Sequence, residues 1–331
     1  MANMRHFIDD NGLFEVKIPI TWKYSLRDGK IHTFQEFEAW KFDAFQISLR
    51  KTSDSINIKN FKHLTPVTFG RNSCYCLPDS TNENFTIKSW VSLIEDMIVF
   101  FTLTFSLDPV DETPLSKKID IVNEIIKEFR IIKETEKESK VNSYRFELFI
   151  QGVGATSAIL NKAVKNKAFI ESTCIIANQI DALLRIGIVL KKQILNNSIE
   201  IEQEWIYQGL TDKIKSEKDI YASAKDLGII SEDIYKKLYL LYDDRNRVIH
   251  RFIISEITIA EIENIAFNYY KVQEQINQII YDLESEQISL NIGMTRNSSN
   301  SSDSQEEFIE YIKGKIGKQD YFEENPVDNN T

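Results

Sequence analysis

Tyr242-Asp243-Asp244-Arg245-Asn246-Arg247-Val248-Ile249-His250-Arg251-Phe252 is the stretch on which the reading of this chain turns. It lies in a segment that reads as helix. In Ile234-Tyr235-Lys236-Lys237-Leu238-Tyr239-Leu240-Leu241-Tyr242, just before it, apolar residues recur at three and four. Asn246 and His250 are four apart and share a helix face. Arg245 lies roughly 140° round from His250 at about 100° per residue, and its long side chain can swing back toward the same groove.

Working outward, Ile175-Ile176-Ala177-Asn178-Gln179-Ile180-Asp181-Ala182-Leu183-Leu184-Arg185-Ile186-Gly187-Ile188 reads as a second apolar helix, with Asp181 and Arg185 four apart in its middle. Each feature has a plain structural reading. An Arg and a His near a helix end complement the negative pole of the helix dipole. An Asp–Arg pair on one helix face is worth tenths of a kcal/mol at the surface.

The two features together point further. An Arg-Asn-x-x-x-His run closing an amphipathic helix, with an acidic and a basic residue four apart on an earlier helix, resembles the R-x4–6-H signature of HEPN domains. These are all-helical and include metal-independent ribonucleases, toxins and defence effectors. The resemblance covers about half of the chain.

At 331 residues the chain is long enough for two domains, and 42% apolar with 27% charged residues suits a soluble protein with real cores. No run approaches the 18 or so uncharged apolar residues of a membrane span, and the first residues lack the apolar run of a signal peptide. Three cysteines, two of them in Cys74-Tyr75-Cys76, fit a reducing compartment and give no zinc spacing, so a cytoplasmic protein without cofactor is expected. The formal charge of −10 argues against broad polyanion binding. A focused basic groove from Arg185, Lys191, Lys192, Arg245, Arg247 and Arg251 is compatible with it.

The fold class expected is an α+β amino-terminal domain followed by an all-α bundle and a disordered tail. Residues 1–135 show alternating apolar and polar runs, a hairpin signal at Asp28-Gly29, a second turn at Glu95-Asp96, and a helix from Ile119 through Phe129 to cover the sheet. The opening Phe-x-Val-x-Ile-Pro-x-x-Trp and the run of hairpins are similar to the Mog1/PsbP-like fold. His6, His32 and His63 have no spacing that suggests a site. Residues 136–150, within and after the charged run from Lys133 to Lys140, read as a linker. Gly152-Val153-Gly154 lacks the third glycine of a dinucleotide fingerprint.

Residues 151–290 read as the HEPN-like bundle, with helices over Ser157–Lys167, Ile170–Ile194, Lys218–Leu227, Glu232–Phe252 and Ile259–Leu283. Gly228 ends one of them, Ser231 caps the next, and Thr258-Ile259-Ala260-Glu261 is a capping box. Residues 291–331 read as a mostly disordered tail, with an amphipathic island at Phe308–Ile312.

The HEPN resemblance implies roles residue by residue. His250 would do acid–base work on a ribose 2′-OH or a departing 5′ oxygen, a task suited to imidazole. Arg245 would meet the charge that builds on the scissile phosphate, and Asn246 would orient His250 or that phosphate. Asp181, Arg185, Arg247 and Arg251 would line the substrate cleft. No metal is needed when the 2′-OH is the nucleophile. The resemblance further implies a homodimer through the helical domain, RNA as substrate with tRNA a candidate, and a toxin or phage-defence role. Phe252 stands where some HEPN toxins carry a modifiable Tyr, so control is expected to come through the amino-terminal domain and a regulatory protein partner. The competing reading is a non-catalytic HEPN module that only dimerises or binds a partner.

Overall fold

The computed structural model describes residues 4–36, 43–52, 61, 63–107, 115–208 and 215–297. Their contacts divide into two compact units, the first ending at Val141 and the second beginning at Asn142.

The first unit is built on two antiparallel sheets. The smaller has the order β1 (Met4–Ile8), β2 (Phe14–Pro19), β11 (Arg130–Ile131). The larger runs β3 (Trp22–Arg27), β4 (Ile31–Glu36), β5 (Ala44–Lys51), β10 (Met97–Ser106), β9 (Phe85–Ile94), β7 (Asn72–Cys76), β6 (Pro66–Phe69), with β8 (Ser80–Thr81) beside β9. Both expected turns are present. Asp28 and Gly29 take positive φ (51° and 63°), the twist that a tight hairpin requires, and Glu95 does so between β9 and β10. Period-two alternation decides what is buried: β10 turns Val99, Phe101, Leu103 and Phe105 inward.

Helix α1 (Leu115–Glu128) buries Val122, Ile125 and Ile126. An aromatic cluster joins the layers: Phe129 lies 5.3 Å from Phe14 of β2 and 5.1 Å from Phe101 of β10. Asn72 donates to the carbonyls of Ile126 (2.6 Å) and Phe129 (3.0 Å), so the end of α1 is tied to β7 by one buried amide. The unit is therefore α+β, with two sheets where one was expected. His32 is a packed core residue, 3.0 Å from the Tyr24 hydroxyl, and burial holds its pKa down. Burial likewise pushes the Cys74 thiol up to about 11.

The linker reading of 136–150 is corrected. A 3-10 turn over Glu134–Glu136 leads into α2 (Lys137–Lys165), one unbroken helix that takes in the charged run, Gly152 and Gly154. The charges are helix-compatible rather than solvating: Lys137 pairs with Glu134 at 2.7 Å, and Lys140 reaches Glu15 at 2.8 Å and Glu136 at 3.8 Å.

The second unit is helical. Around α3 (Phe169–Asn196) stand α2, α4 (Gln203–Ile206), α5 (Glu217–Asp226), α6 (Glu232–Arg251) and α7 (Ile259–Leu290). Ser231 caps α6, the Thr258–Glu261 box opens α7, and Gly228 has φ +68°. Among the described residues α3 is the one helix whose length and composition would let it cross a membrane, and 61% of its apolar window is buried inside the protein. It is the core helix of the bundle.

Two glutamine clamps set its register against α7. Gln273 donates to Gln179, which donates to Thr156 (2.9 Å) and Ser157 (3.1 Å). Gln287 donates to the Leu190 carbonyl (3.0 Å) and to Gln193 (2.9 Å), and accepts from Thr295 Oγ1 at 2.8 Å. Residues 291–297, expected as the start of the tail, are thus pinned to the bundle and end in a 3-10 turn, Thr295–Asn297. The rest of the expected tail and the Phe308–Ile312 island lie outside the described residues.

Gln287 is fully buried and satisfies groups on two other segments, α3 and the 295–297 turn, so Gln287→Ala should cost about 2–3 kcal/mol, the price of orphaned partners plus lost packing. A lower urea midpoint with unchanged slope would register it. An unchanged midpoint would remove the clamp from the account.

Candidate active site on the helical unit

Three helices bring the polar residues together. The apolar face of α6 buries Leu238, Leu241 and Val248, and Arg245 lies on that same stripe, four residues after Leu241 and three before Val248. Its side chain is therefore carried inward and is only 12% exposed. It needs an anion there, and Glu217, the first residue of α5, supplies one in an ion pair. Its other terminal nitrogen donates to Asn246 Oδ1 at 3.1 Å, and the guanidinium carbon lies 4.9 Å from the centre of the Tyr242 ring.

Glu217 is positioned by its own helix start. Ser216 accepts from the Asp219 amide (3.2 Å) and the Asp219 carboxylate accepts from the Ser216 amide (2.9 Å), a reciprocal capping box that fixes the first turn of α5. Tyr221, one turn on, donates to the second Glu217 oxygen at 3.1 Å.

On α3, Arg185 Nε donates to Asp181 at 2.7 Å and its guanidinium continues to the Trp205 carbonyl at 3.2 Å. The two ion pairs feel one another. Burial raises the pKa of Asp181, Arg185 works against that, and the nearby Glu217 charge adds to it. Arg245 is held more firmly protonated than usual: burial opposes its charge but the Glu217 carboxylate outweighs the burial. Burial also raises Tyr221, Tyr269 and Cys174, with the Arg245 charge pulling each the other way. One oxygen of Asp181 and Nε of Arg245 are buried without a hydrogen-bond partner among the described residues.

The structure thus joins Asp181 to Arg185 and Arg245 to Asn246, and sets the two pairs in one electrostatic neighbourhood. It does not bring Arg245 to His250. Val248 faces the core, whereas Arg247, His250 and Arg251 are exposed on the other side of α6. Arg245 swings toward Glu217 rather than back toward His250, because an aqueous groove cannot compete with a buried carboxylate for a guanidinium already on the apolar stripe.

Most cations of the expected basic groove have carboxylate neighbours among the described residues. Apart from Arg251, each of its cations faces a carboxylate: Arg185 meets Asp181, Lys191 Glu286, Lys192 Glu202, Arg245 Glu217 and Arg247 Asp244. Among the described residues no three His, Cys, Asp or Glu side chains gather in a way that could hold a metal ion.

Glu217, Tyr221 and Tyr269 were not singled out from the sequence. The Ser216-to-Asp219 spacing announces a helix start one residue earlier than Lys218, which would have placed Glu217 on the first turn. Nothing local pairs it with a residue 28 positions away.

No family model and no curated protein matches the chain. Among solved structures, a crystal structure from Bacteroides thetaiotaomicron VPI-5482 is similar over 60% of this chain and 80% of its own, with 18% identity and a TM-score of 0.33. The solution structure of cyanobacterial PsbP (CyanoP) from Synechocystis sp. PCC 6803 covers 40% of this chain and 94% of its own, with 10% identity and a TM-score of 0.29, a weak likeness of the amino-terminal part. At these scores neither likeness carries an argument about the chain.

Two stability outcomes follow. Arg245→Ala strands Glu217, which is 21% exposed, and should cost about 2–4 kcal/mol, somewhat under the fully buried case; His250→Ala should stay within about 0.5 kcal/mol. Equal effects in urea melts would refute the split between the two faces. The second outcome concerns pH. Because the folded-state pKa of Asp181 is raised, the folded state binds the extra proton, so its contribution is fully present below the ordinary carboxylate value and is lost as pH rises through the raised one. Asp181→Asn should flatten that falling limb of stability against pH; an unaltered limb would place the titration elsewhere.

Proposed function

We propose that the helical unit is a metal-independent endoribonuclease of HEPN type, working as a homodimer in the cytoplasm. What supports the reading most is the pair of hydrogen-bonded couples Asp181–Arg185 and Arg245–Asn246 on two helices in one electrostatic neighbourhood, with His250 one turn beyond Asn246 and open to solvent. In this reading His250 takes the proton from a ribose 2′-OH, and the 2′ oxygen attacks phosphorus. The 5′ oxygen then leaves with a proton, and a 2′,3′-cyclic phosphate remains. Arg247, Arg251 and Arg185 serve the phosphates. Arg245, whose terminal nitrogens are taken by Glu217 and Asn246 in the geometry described, meets the charge on the scissile phosphate once Glu217 gives way. RNA, with tRNA a candidate, is the substrate class; a toxin or phage-defence role and a regulatory partner at the amino-terminal unit belong to the same proposal.

A second reading has its own support. Ile253 and Ile254, just past α6, are 94% and 81% exposed, and Arg245 is already paired. A non-catalytic module that uses this end of α6 to dimerise would need no more than that.

The full chain incubated with total RNA and tRNA in EDTA, beside His250→Ala, separates them. Cleavage should fall by about two to four orders of magnitude in the variant, the usual worth of a proton-transfer group. Cleavage undiminished in His250→Ala would overturn the mechanism, and no cleavage by the parent chain would favour the interaction module.

A further inference from the structure

We infer that Glu217 is the resident anion of Arg245: its carboxylate fills the seat that a substrate phosphodiester would take, and single-stranded RNA engages Arg245 by displacing it. The identity of the incoming anion rests on the ribonuclease reading; the seat itself rests on geometry.

Four observations carry the inference. Arg245 is 12% exposed and Glu217 21%, so the pair lies at the edge of the core and its carboxylate side is the more open. The guanidinium presents a planar fork, which accepts a phosphate as readily as a carboxylate, and a phosphodiester brings the same single negative charge. Glu217 is held otherwise by one hydroxyl, that of Tyr221 at 3.1 Å. A second cation shares an aromatic neighbour with the first: Lys218 lies 4.5 Å from the centre of the Tyr242 ring, and the Arg245 guanidinium carbon lies 4.9 Å from that centre. Lys218 is tied to Asp243 at 3.4 Å, and Asp243 is exposed.

The exchange conserves charge at the buried end. When a phosphodiester oxygen pair replaces Glu217, Arg245 keeps an anion and the freed carboxylate turns to water. A wholly structural ion pair would make the opposite prediction, because weakening Glu217 would then gain nothing for RNA. The internal carboxylate lowers apparent affinity by the fraction of time it is seated, as any competing closed state does.

The test is binding of a fluorescent single-stranded RNA 12-mer with 2′-O-methyl riboses, which cannot supply a 2′-OH nucleophile. Fluorescence anisotropy with the full chain is measured across a salt series. Glu217→Gln should bind about tenfold tighter, and the slope of log affinity against log salt should steepen by about 0.7, one added phosphate contact on a single strand. Tyr221→Phe, a near-isosteric change, should gain in the same direction by less, and covers the case in which Glu217→Gln does not fold. Adding Arg245→Ala should erase either gain. Binding no tighter in both Glu217→Gln and Tyr221→Phe overturns the inference, as does an absence of binding in every variant. The unmodified 12-mer distinguishes the two proposals: tighter binding without cleavage by the parent chain leaves the Glu217 assignment standing and removes the ribonuclease reading, whereas cleavage without tighter binding does the reverse.

Discussion

The helical unit depends on one constraint: α3 is apolar nearly all round and must be surrounded. Ile176, Ala177, Ile180, Leu184 and the consecutive run Ile186–Leu190 are all buried, so no face of the helix is left for water over that run. Every other helix of the unit is placed by that requirement. The few polar groups on α3 then have to find partners inside the bundle. Gln179 and Gln193 do so with glutamines of α7, which fixes the sliding register of two helices that hydrophobic contact alone would leave loose. Asp181 and Arg185 satisfy one another at the margin of the packed core.

The same constraint explains why the motif on α6 divides. A helix that packs on α3 with one stripe cannot present residues five apart to the same side. Arg245 falls on the packed stripe and acquires Glu217 and Asn246; His250 falls outside it. Under the proposed function, chemistry at His250 would be completed by residues that reach it from the exposed side, whether Arg247 and Arg251 of the same helix or a second copy of the chain. The exposed Ile253 and Ile254 beside it are the apolar surface such a copy would cover. The acidic balance of the chain acts in the same sense. With carboxylates beside most of the candidate cations, the RNA binding we propose would be an exchange of anions at chosen arginines rather than adhesion to a basic surface.

Much of this was legible before any coordinates, and the reasons differ by residue. The Asp28-Gly29 and Glu95-Asp96 turns, the Ser231 cap and the Thr258–Glu261 box are local devices, and each appears where its spacing put it. The long helices were legible because their apolar period persists over many turns. The stretch around Lys133–Lys140 misled because dense charge reads as solvated chain, while alternating signs at three and four also support a helix. The orientation of Arg245 could be computed from the helical period, but its destination could not. That depends on Glu217, whose pairing is a tertiary fact. The third strand of the small sheet, β11, is two residues long, and no pattern of alternation could reveal it.

The proposed reaction is breakage of RNA through the ribose 2′ oxygen, with protein side chains alone moving protons. The most direct measurement is single-turnover cleavage of one RNA oligonucleotide beside its twin carrying a single 2′-deoxy sugar at the cleaved position. The account predicts that the parent RNA yields a 2′,3′-cyclic phosphate and a 5′-hydroxyl and that the twin is not cut at that position. Cutting of the twin at that position at the parent's rate would contradict it.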